Sequence, residues 1–425
     1  MTRRSVVPLF IGTFLLRANS GLNTVVLGLL LAQIETLSRY MHALSLGSLQ
    51  VGLLPVVFYV TELLLAPYMG SLSDRWGRRN FLIIGPAFGL IQAGFLFFTP
   101  TINPLPYLLA LQVLAGISGA LVTPVALGYL ADFTTLDRGR RMRIMSFYEL
   151  VTSGGIAVGT VAGGIAWEFL GRFTFMLLAC SYLVVCGCMA LSPVVNQIVD
   201  RERRPHMLMR YWSVLQTPRL LIFIPAWLCL SALVGVWLSS QLTFLLSRPI
   251  HHPYQLLMGS MSGPGGGLRL GLILGGHVLC FGLGLLFWAF FLNRVPRLRL
   301  MLTSIVGVYL ACIALFGINH RGIGNEGLLL VWIPILLAGI FAETSFAPAA
   351  LAYLADISEN TVKDRGLVMG LYSVFLGLGQ ILGNGLGGVF ANRFGFDGLI
   401  YLTAMLALIA LVSLLWLFKR EKAFS

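Results

Sequence analysis

Charge is what this sequence has least of. Asp, Glu, Lys and Arg together make up 11% of its 425 residues, less than half the roughly 25% usual in soluble domains. With 57% hydrophobic residues and a mean hydropathy of +0.87, a water-soluble fold has nowhere to put so much apolar surface, and a bilayer must solvate it. Period-two alternation is missing as well. The apolar runs, about 20 residues each, suit membrane helices and are too long for membrane strands, which excludes a barrel. No Gly-x-x-x-x-Gly-Lys-Ser/Thr phosphate loop occurs, so the chain carries no nucleotide-driven cassette. No paired catalytic groups converge at recognisable spacing, and no enzyme is expected. The six cysteines (Cys180, Cys186, Cys188, Cys229, Cys280, Cys312) all fall in apolar runs without metal-ligand spacing. They read as small buried residues, and no metal or cofactor is expected.

What is present is twelve apolar runs, near 6–31, 48–69, 80–99, 105–131, 144–167, 173–192, 219–247, 270–292, 300–317, 327–353, 366–391 and 398–418. The pattern predicts an all-α membrane protein with twelve transmembrane helices. The first run carries Arg17, Asn19 and Asn23 and is not followed by a small-residue cleavage site, so it reads as a retained helix. Of the 29 Lys and Arg residues, 22 fall on the side that holds both termini and six on the other, with Arg17 alone inside a run. That bias puts both termini in the cytoplasm of a cell membrane, as in a bacterial inner membrane. It also accounts for the net charge of +13 as a topology signal facing anionic headgroups rather than a nucleic-acid surface.

The chain repeats itself. Pro124 and Tyr129-Leu130-Ala131-Asp132 recur as Pro348 and Tyr353-Leu354-Ala355-Asp356, 224 residues later. Gly155, Gly159, Gly163 and Gly164 recur at the same offset as Gly379, Gly383, Gly387 and Gly388. Asp137-Arg138-Gly139 returns as Asp364-Arg365-Gly366, and both copies end at a glycine, Gly171 and Gly395. The division expected is an N-terminal six-helix bundle over 1–192, a charged cytoplasmic linker over 193–218 and a C-terminal six-helix bundle over 219–425. Two similar bundles in one chain are the design of an alternating-access carrier.

Between the second and third runs lies Gly70-Ser71-Leu72-Ser73-Asp74-Arg75-Trp76-Gly77-Arg78-Arg79, read as a short charged loop. Its glycines suit a tight reversal and a close helix approach. Asp74 is placed to face a helix dipole, and Arg78 to pair with a carboxylate at a neighbouring helix end. A worn copy, Ala289 to Arg297, follows the same spacing with Asn293 for the acid and Pro296 for the second glycine. Gly70-x-x-x-Asp74-Arg75-x-Gly77-Arg78-Arg79 resembles the signature loop of the major facilitator superfamily, and with the six-plus-six repeat the resemblance covers the whole chain. It implies two pseudo-symmetric bundles around a central cavity, moving as rocker-switch halves. It also implies a gating network joining Asp74 and Arg78 to Asp132 and to the helix that begins near Gly366. In the fifth run, Gly155-x-x-x-Gly159-Thr160-x-x-Gly163-Gly164 is similar to the antiporter motif of drug exporters, with Thr160 where that motif has proline. Glycine-mediated helix packing explains the same ladder. The fourth run departs from exporters: Gln112-x-x-x-Gly116-x-x-Gly119 lacks their arginine.

Charges inside a membrane are costly and point to function. Arg17 and Glu62 fall at comparable depth in the first two helices and are expected to pair, Arg17 supplying the charge the fourth helix lacks. Glu343, in the middle of the tenth run, is a candidate for binding a proton or a cationic substrate. Asn19, Asn23, Gln112, Trp237, Gln241, Gln380 and Asn384 are candidates for lining the cavity, each also readable as an interhelical hydrogen bond. The function expected is a monomeric secondary transporter exchanging protons for a hydrophobic or amphipathic small molecule. The alternatives are a lipid or glycolipid flippase, a nutrient uniporter or proton symporter, or a transport-inactive receptor or scaffold.

Overall fold

The computed structural model describes residues 7–40, 46–133, 138–192, 218–249, 254–291, 294–322, 326–357 and 365–424. Among them there is no strand. The α-helices are α1 (Val7–Tyr40), α2 (Ser48–Trp76), α3 (Arg78–Phe97), α4 (Leu105–Phe133), α5 (Arg138–Leu170), α6 (Thr174–Leu191) and α7 (Pro218–Trp237). They continue with α8 (Ser240–Ser247), α9 (Gly266–Phe291), α10 (Arg297–Gly317), α11 (Glu326–Glu343), α12 (Phe346–Ile357), α13 (Arg365–Phe394) and α14 (Phe396–Phe424). Among the described residues eleven continuous stretches are long and apolar enough to cross a bilayer; two of them hold two helices, and of these Leu150–Leu191, at 42 residues, is long enough to cross twice. A single 3-10 turn at Gly171–Phe173 separates α5 from α6 within it. Twelve spans result. Large apolar residues face outward as well as inward: Leu183, Ile313, Leu330 and Val412 are all more than half exposed, as lipid-facing helices require.

The chain divides into two compact units. One holds Met1–Asp200 with Ser247–Pro249 and Met261–Val278; the other holds Arg201–Leu246, Ile250–Ser260 and Leu279–Ser425. In the first, Leu9, Phe81, Leu82, Val122, Val125 and Tyr129 form a buried core. The late segments join this unit through specific contacts. Arg248 Nη2 donates to Glu35 Oε1 at 3.0 Å, and Glu35 is 1% exposed. The Glu168 carboxylate accepts the Gly265 and Gly267 N–H groups at 2.6 and 3.2 Å. Gly164 of α5 lies directly on the backbone of Gly267 and Gly271. In the second unit the core is aromatic: Phe223 packs against Trp227, Phe346 and Tyr353 at centroid distances of 5.1 to 6.2 Å. Tyr129 and Tyr353, the repeat mates, are thus buried in matching roles.

The glycine ladders show why the repeat exists. Gly155 and Gly159 of α5 rest on the carbonyls of Phe14 and Ala18 in α1, and Gly163 rests on Leu22. In the second unit Gly379 and Gly383 of α13 rest on Ser231 and Ala232 in α7. Each seam brings two helix backbones to a distance that any Cβ would forbid. Gly171 and Gly395, which end the two copies, both have positive φ, 53° and 64°.

Three expectations need correction. The seventh span, expected as one helix over 219–247, breaks at Leu238–Ser239. The tenth, expected over 327–353, breaks at Thr344–Ser345. Pro348 has no N–H to give the Thr344 carbonyl. The two hydroxyls then offer the backbone alternative partners: Thr344 Oγ1 donates to the Phe341 carbonyl at 2.7 Å, and Ser345 Oγ to Leu300 in α10 at 2.7 Å. The repeat mate Pro124 sits inside an unbroken α4, where the matching residues are Ala120 and Leu121. Last, Gly70 to Arg79 is not a loop. Helix α2 runs on to Trp76 and α3 begins at Arg78, so Gly77 alone makes the joint.

Candidate functional site

Gly77 turns the chain with φ 91° and ψ 123°, a conformation other residues rarely adopt. A Cβ placed there would meet nothing within 4 Å. Glycine is therefore required by the backbone and not by space. Asn80 steadies the joint from both sides. Its N–H donates to the Gly77 carbonyl at 3.2 Å and its Nδ2 to the Trp76 carbonyl at 3.0 Å. Ser73 Oγ donates to the Gly70 carbonyl at 2.7 Å. Arg79 Nη2 donates to the Ala190 carbonyl of α6, and Arg78 is buried at 9% exposure. Trp76 to Asn80, with Ile83 and Tyr129, line a recess of about 470 Å³. Gly70 approaches Pro124 of α4, 4.0 Å from where its Cβ would stand. The side chains of Asp74, Arg75 and Asp132 lie outside the described residues.

The polar site proper lies between α1, α2 and α4. Gln112, Gly116, Gly119 and Thr123 recur at steps of four, three and four, so they share one stripe of α4. The two glycines on that stripe admit α2. A Cβ at Gly116 would meet Thr61 and the Phe58 carbonyl, and a Cβ at Gly119 would stand 3.0 Å from the Glu62 carboxyl carbon. Glu62 is thereby held against α4, next to Thr123. On the other side, Gly155 of α5 receives the stem of Arg17, whose Cβ lies 2.9 Å from where a glycine Cβ would be. Arg17 Nη2 reaches Thr123 Oγ1 at 3.5 Å. The Thr123 hydroxyl hydrogen-bonds the Glu62 carboxylate, and the Arg17 charge acts on Glu62 as well. Thr123 thus accepts from the guanidinium and donates to the carboxylate. The Arg17 charge also reaches Tyr59 and Tyr182. Arg17 and Glu62 are both only partly exposed.

The remaining candidates scatter. Asn19 is 3% exposed and its Oδ1 accepts from Ser181 of α6 at 2.7 Å, which ties α1 to α6. Trp237 Nε1 donates to Thr403 Oγ1 of α14 at 3.0 Å, which gives it the same structural role. Gln112 is buried at 5% exposure. Asn23 is partly buried, with Oδ1 lacking a hydrogen-bond partner among the described residues. Glu343 is the last residue of α11, at the helix break, with its backbone against Gly307 of α10. Gln380 lends its carbonyl to Asn384 Nδ2 at 2.9 Å. Among the described residues no group of three or more His, Cys, Asp or Glu could hold a metal. Thr123, Tyr59 and Ser181 escaped sequence reasoning. Only Thr123 had a readable signal, its place on the glycine stripe of α4.

The Major Facilitator Superfamily model matches residues 9–270 and 266–425. The chain belongs to the Major Facilitator Superfamily. Multidrug resistance protein 2 of Bacillus subtilis (strain 168) is 24% identical over 386 residues, covering 84% of this chain and 83% of the relative. Tetracycline resistance protein, class C, of Escherichia coli is 32% identical over 192 residues, covering 43% of this chain and 44% of the relative. The crystal structure of nucleoside transporter NupG matches with a TM-score of 0.73 at 16% identity, covering 97% of this chain and 98% of that one. A bacterial homolog to the human lysosomal transporter Spinster, in an inward-facing and occupied conformation, matches with a TM-score of 0.72 at 14% identity, covering 99% and 98%. The α2–α3 joint and the α5 glycine ladder are the two segments whose sequences resemble superfamily motifs. Here that ladder faces two ways, with Gly155, Gly159 and Gly163 on α1 and Gly164 on α9.

Proposed function

We propose that this superfamily member is a proton-coupled exporter of hydrophobic or amphipathic small molecules, working by rocker-switch alternating access. The observation that carries the reading is the Arg17–Thr123–Glu62 linkage. A carboxylate held beside a guanidinium within apolar helices has a counter-charge it keeps while ionised and releases on protonation, and such intramembrane groups mark ion pathways. The fourth helix lacks the exporters' arginine, and Arg17 from α1 delivers a positive charge to the same stripe of α4. Relatives named for multidrug and tetracycline resistance support export and a drug-like cargo. Glu343 is proposed as a second protonation or substrate site. Asp74, Arg78 and Asp132 are proposed as the gating network, and the bundles as 1–192 and 219–425. The carrier is proposed to work as a monomer in the bacterial inner membrane, with both termini cytoplasmic.

The test uses purified full-length carrier in liposomes, with tetracycline and tetraphenylphosphonium as probes and a pH-sensitive dye inside. Probe movement driven by an imposed pH gradient, with matching proton flux, supports the reading. Movement without proton flux makes the protein a uniporter, and no movement of any cargo class favours a receptor or scaffold. Glu62→Gln is expected to abolish gradient-driven movement while leaving downhill exchange.

A further inference from the structure

Helices α10 and α14 pack against each other antiparallel. Tyr309 Oη donates to the Ala404 carbonyl at 3.3 Å, and Cys312 Sγ to the Ile400 carbonyl at 3.9 Å. Carried back along α10 and forward along α14, that register sets Arg297 level with Trp416. The first turn of α10 therefore lies beside the last apolar turn of α14. Both helices show an apolar stripe at the surface: Val306 and Ile313 on α10, and Leu408, Val412 and Leu415 on α14, all between 45% and 61% exposed. At helical steps of seven on α10, and of three and four on α14, each stripe runs into an exposed cation. These are Arg299 and Lys419.

Arg294, Arg299, Lys419 and Arg420 are all exposed, and none of them pairs with an acid among the described residues. Glu421 follows in sequence, with its side chain outside the described residues. Two of the cations are set over aromatic rings instead. Arg420 Cζ lies 5.1 Å from the Trp416 ring centroid and Arg294 Cζ 5.9 Å from that of Phe291. A guanidinium over a ring uses its flat face there and keeps its in-plane N–H fork for a phosphate. The first turn of α10 holds no acid, so the positive end of its dipole adds to the arginines rather than offsetting them. A bias of positive charge toward one side of the membrane accounts for cations at this end. It does not account for cations that cap lipid-facing stripes and stack on rings beside them.

We propose that this end of the α10–α14 surface docks an anionic phospholipid. Its phosphodiester is held by Arg299, Lys419 and Arg420, and its acyl chains lie along the two stripes. The charge suits one sign of headgroup. The apolar residues beyond it suit a molecule with tails, which favours a lipid over a free phosphate. The dock depends on the chain's place in a membrane and not on its cargo, so it stands or falls apart from the export reading.

Full-length carrier in detergent is titrated with phosphatidylglycerol or phosphatidylcholine of equal chain length, and the lipid it retains is read by native mass spectrometry. Phosphatidylglycerol is expected to be retained in preference. Arg299→Gln with Lys419→Gln should lower that retention about fivefold for each cation removed. Arg269 and Arg393 are exposed elsewhere on the chain; Arg269→Gln with Arg393→Gln removes the same charge and should leave retention within about twofold. Equal losses from the two pairs would reduce the effect to net charge and overturn the dock, as would the absence of any preference for the anionic lipid. Inorganic phosphate is the second probe. Phosphatidylglycerol should raise the Tm and phosphate should not; an equal rise with phosphate would make the patch a site for a soluble anion and sink the lipid. If Arg299→Gln with Lys419→Gln does not fold, Lys419→Gln with Arg420→Gln, both at the exposed end of α14, takes its place with the same expected loss.

Discussion

Arg17 and Glu62 are conspicuous in the sequence because a charge inside an apolar run has no bland reading. Thr123 is not, since a threonine in a membrane helix ordinarily bonds its own backbone. Yet Thr123 is the atom-level joint between the two charges. Replacing Thr123 with Val keeps its volume and removes the hydroxyl. Hydrogen bonds to charged groups contribute about 1.5–3 kcal/mol, so gradient-driven transport should fall at least ~10-fold, and Thr123→Ser should restore most of it. Arg17→Ala should abolish coupling in the same liposome assay; full coupling in that variant would remove Arg17 from the mechanism. Asn19 and Trp237 show the opposite limit of sequence reading. Their depth in the membrane was legible, but depth does not give direction. Each side chain points at a neighbouring helix, to Ser181 and Thr403.

Among the elements, helix length was easy to read and helix continuity was not. An apolar run of 29 residues reads as one span whether or not its hydrogen-bond ladder is whole. The break at Thr344–Ser345 depends on hydroxyls that find other carbonyls, and Pro124 in α4 shows that proline alone does not produce it. Gly77 makes a joint of one residue, so Gly77→Ala should cost about 1–3 kcal/mol in backbone strain despite the open space around it. Thermal unfolding in detergent would show the loss as a lowered Tm. Gly159→Ala should also destabilise, because its Cβ meets the Ala18 carbonyl, which cannot move aside; overpacking of this kind costs about 1–3 kcal/mol. Gly94→Ala is the contrast. Nothing lies within 4 Å of its Cβ position, and the helix should gain about 0.5–1 kcal/mol.

For the whole molecule, the 224-residue repeat was legible because it is written in glycines, and glycine seams tolerate few substitutions. What the repeat could not reveal is where the halves differ. Gly155 faces Arg17, while its mate Gly379 faces Ser231, so the arginine at the first seam has a neutral residue in its place at the second. The α2–α3 joint is one glycine, whereas five residues separate α9 from α10. The proposal that both termini lie in the cytoplasm rests on twelve spans and the bias of positive charge. Fusing a cytoplasm-active fluorescent reporter to either end should give signal from both; a dark C-terminal fusion beside a bright N-terminal one would mean an odd number of crossings.

The seams between α1 and α5, and between α7 and α13, carry one more implication. Along α5 the glycines that admit the partner backbone stand four residues apart, at Gly155, Gly159 and Gly163. Sliding α5 along α1 by a single residue, about 1.5 Å, would drive a side chain into a carbonyl. The next register that fits lies a full glycine step away, about 6 Å along the axis. The pair can therefore roll about its line of contact but cannot creep along it, like a gear that turns on its rack without slipping a tooth. The α7–α13 seam is built alike, so sliding is closed to both pairs and rotation about the seam is what each has left.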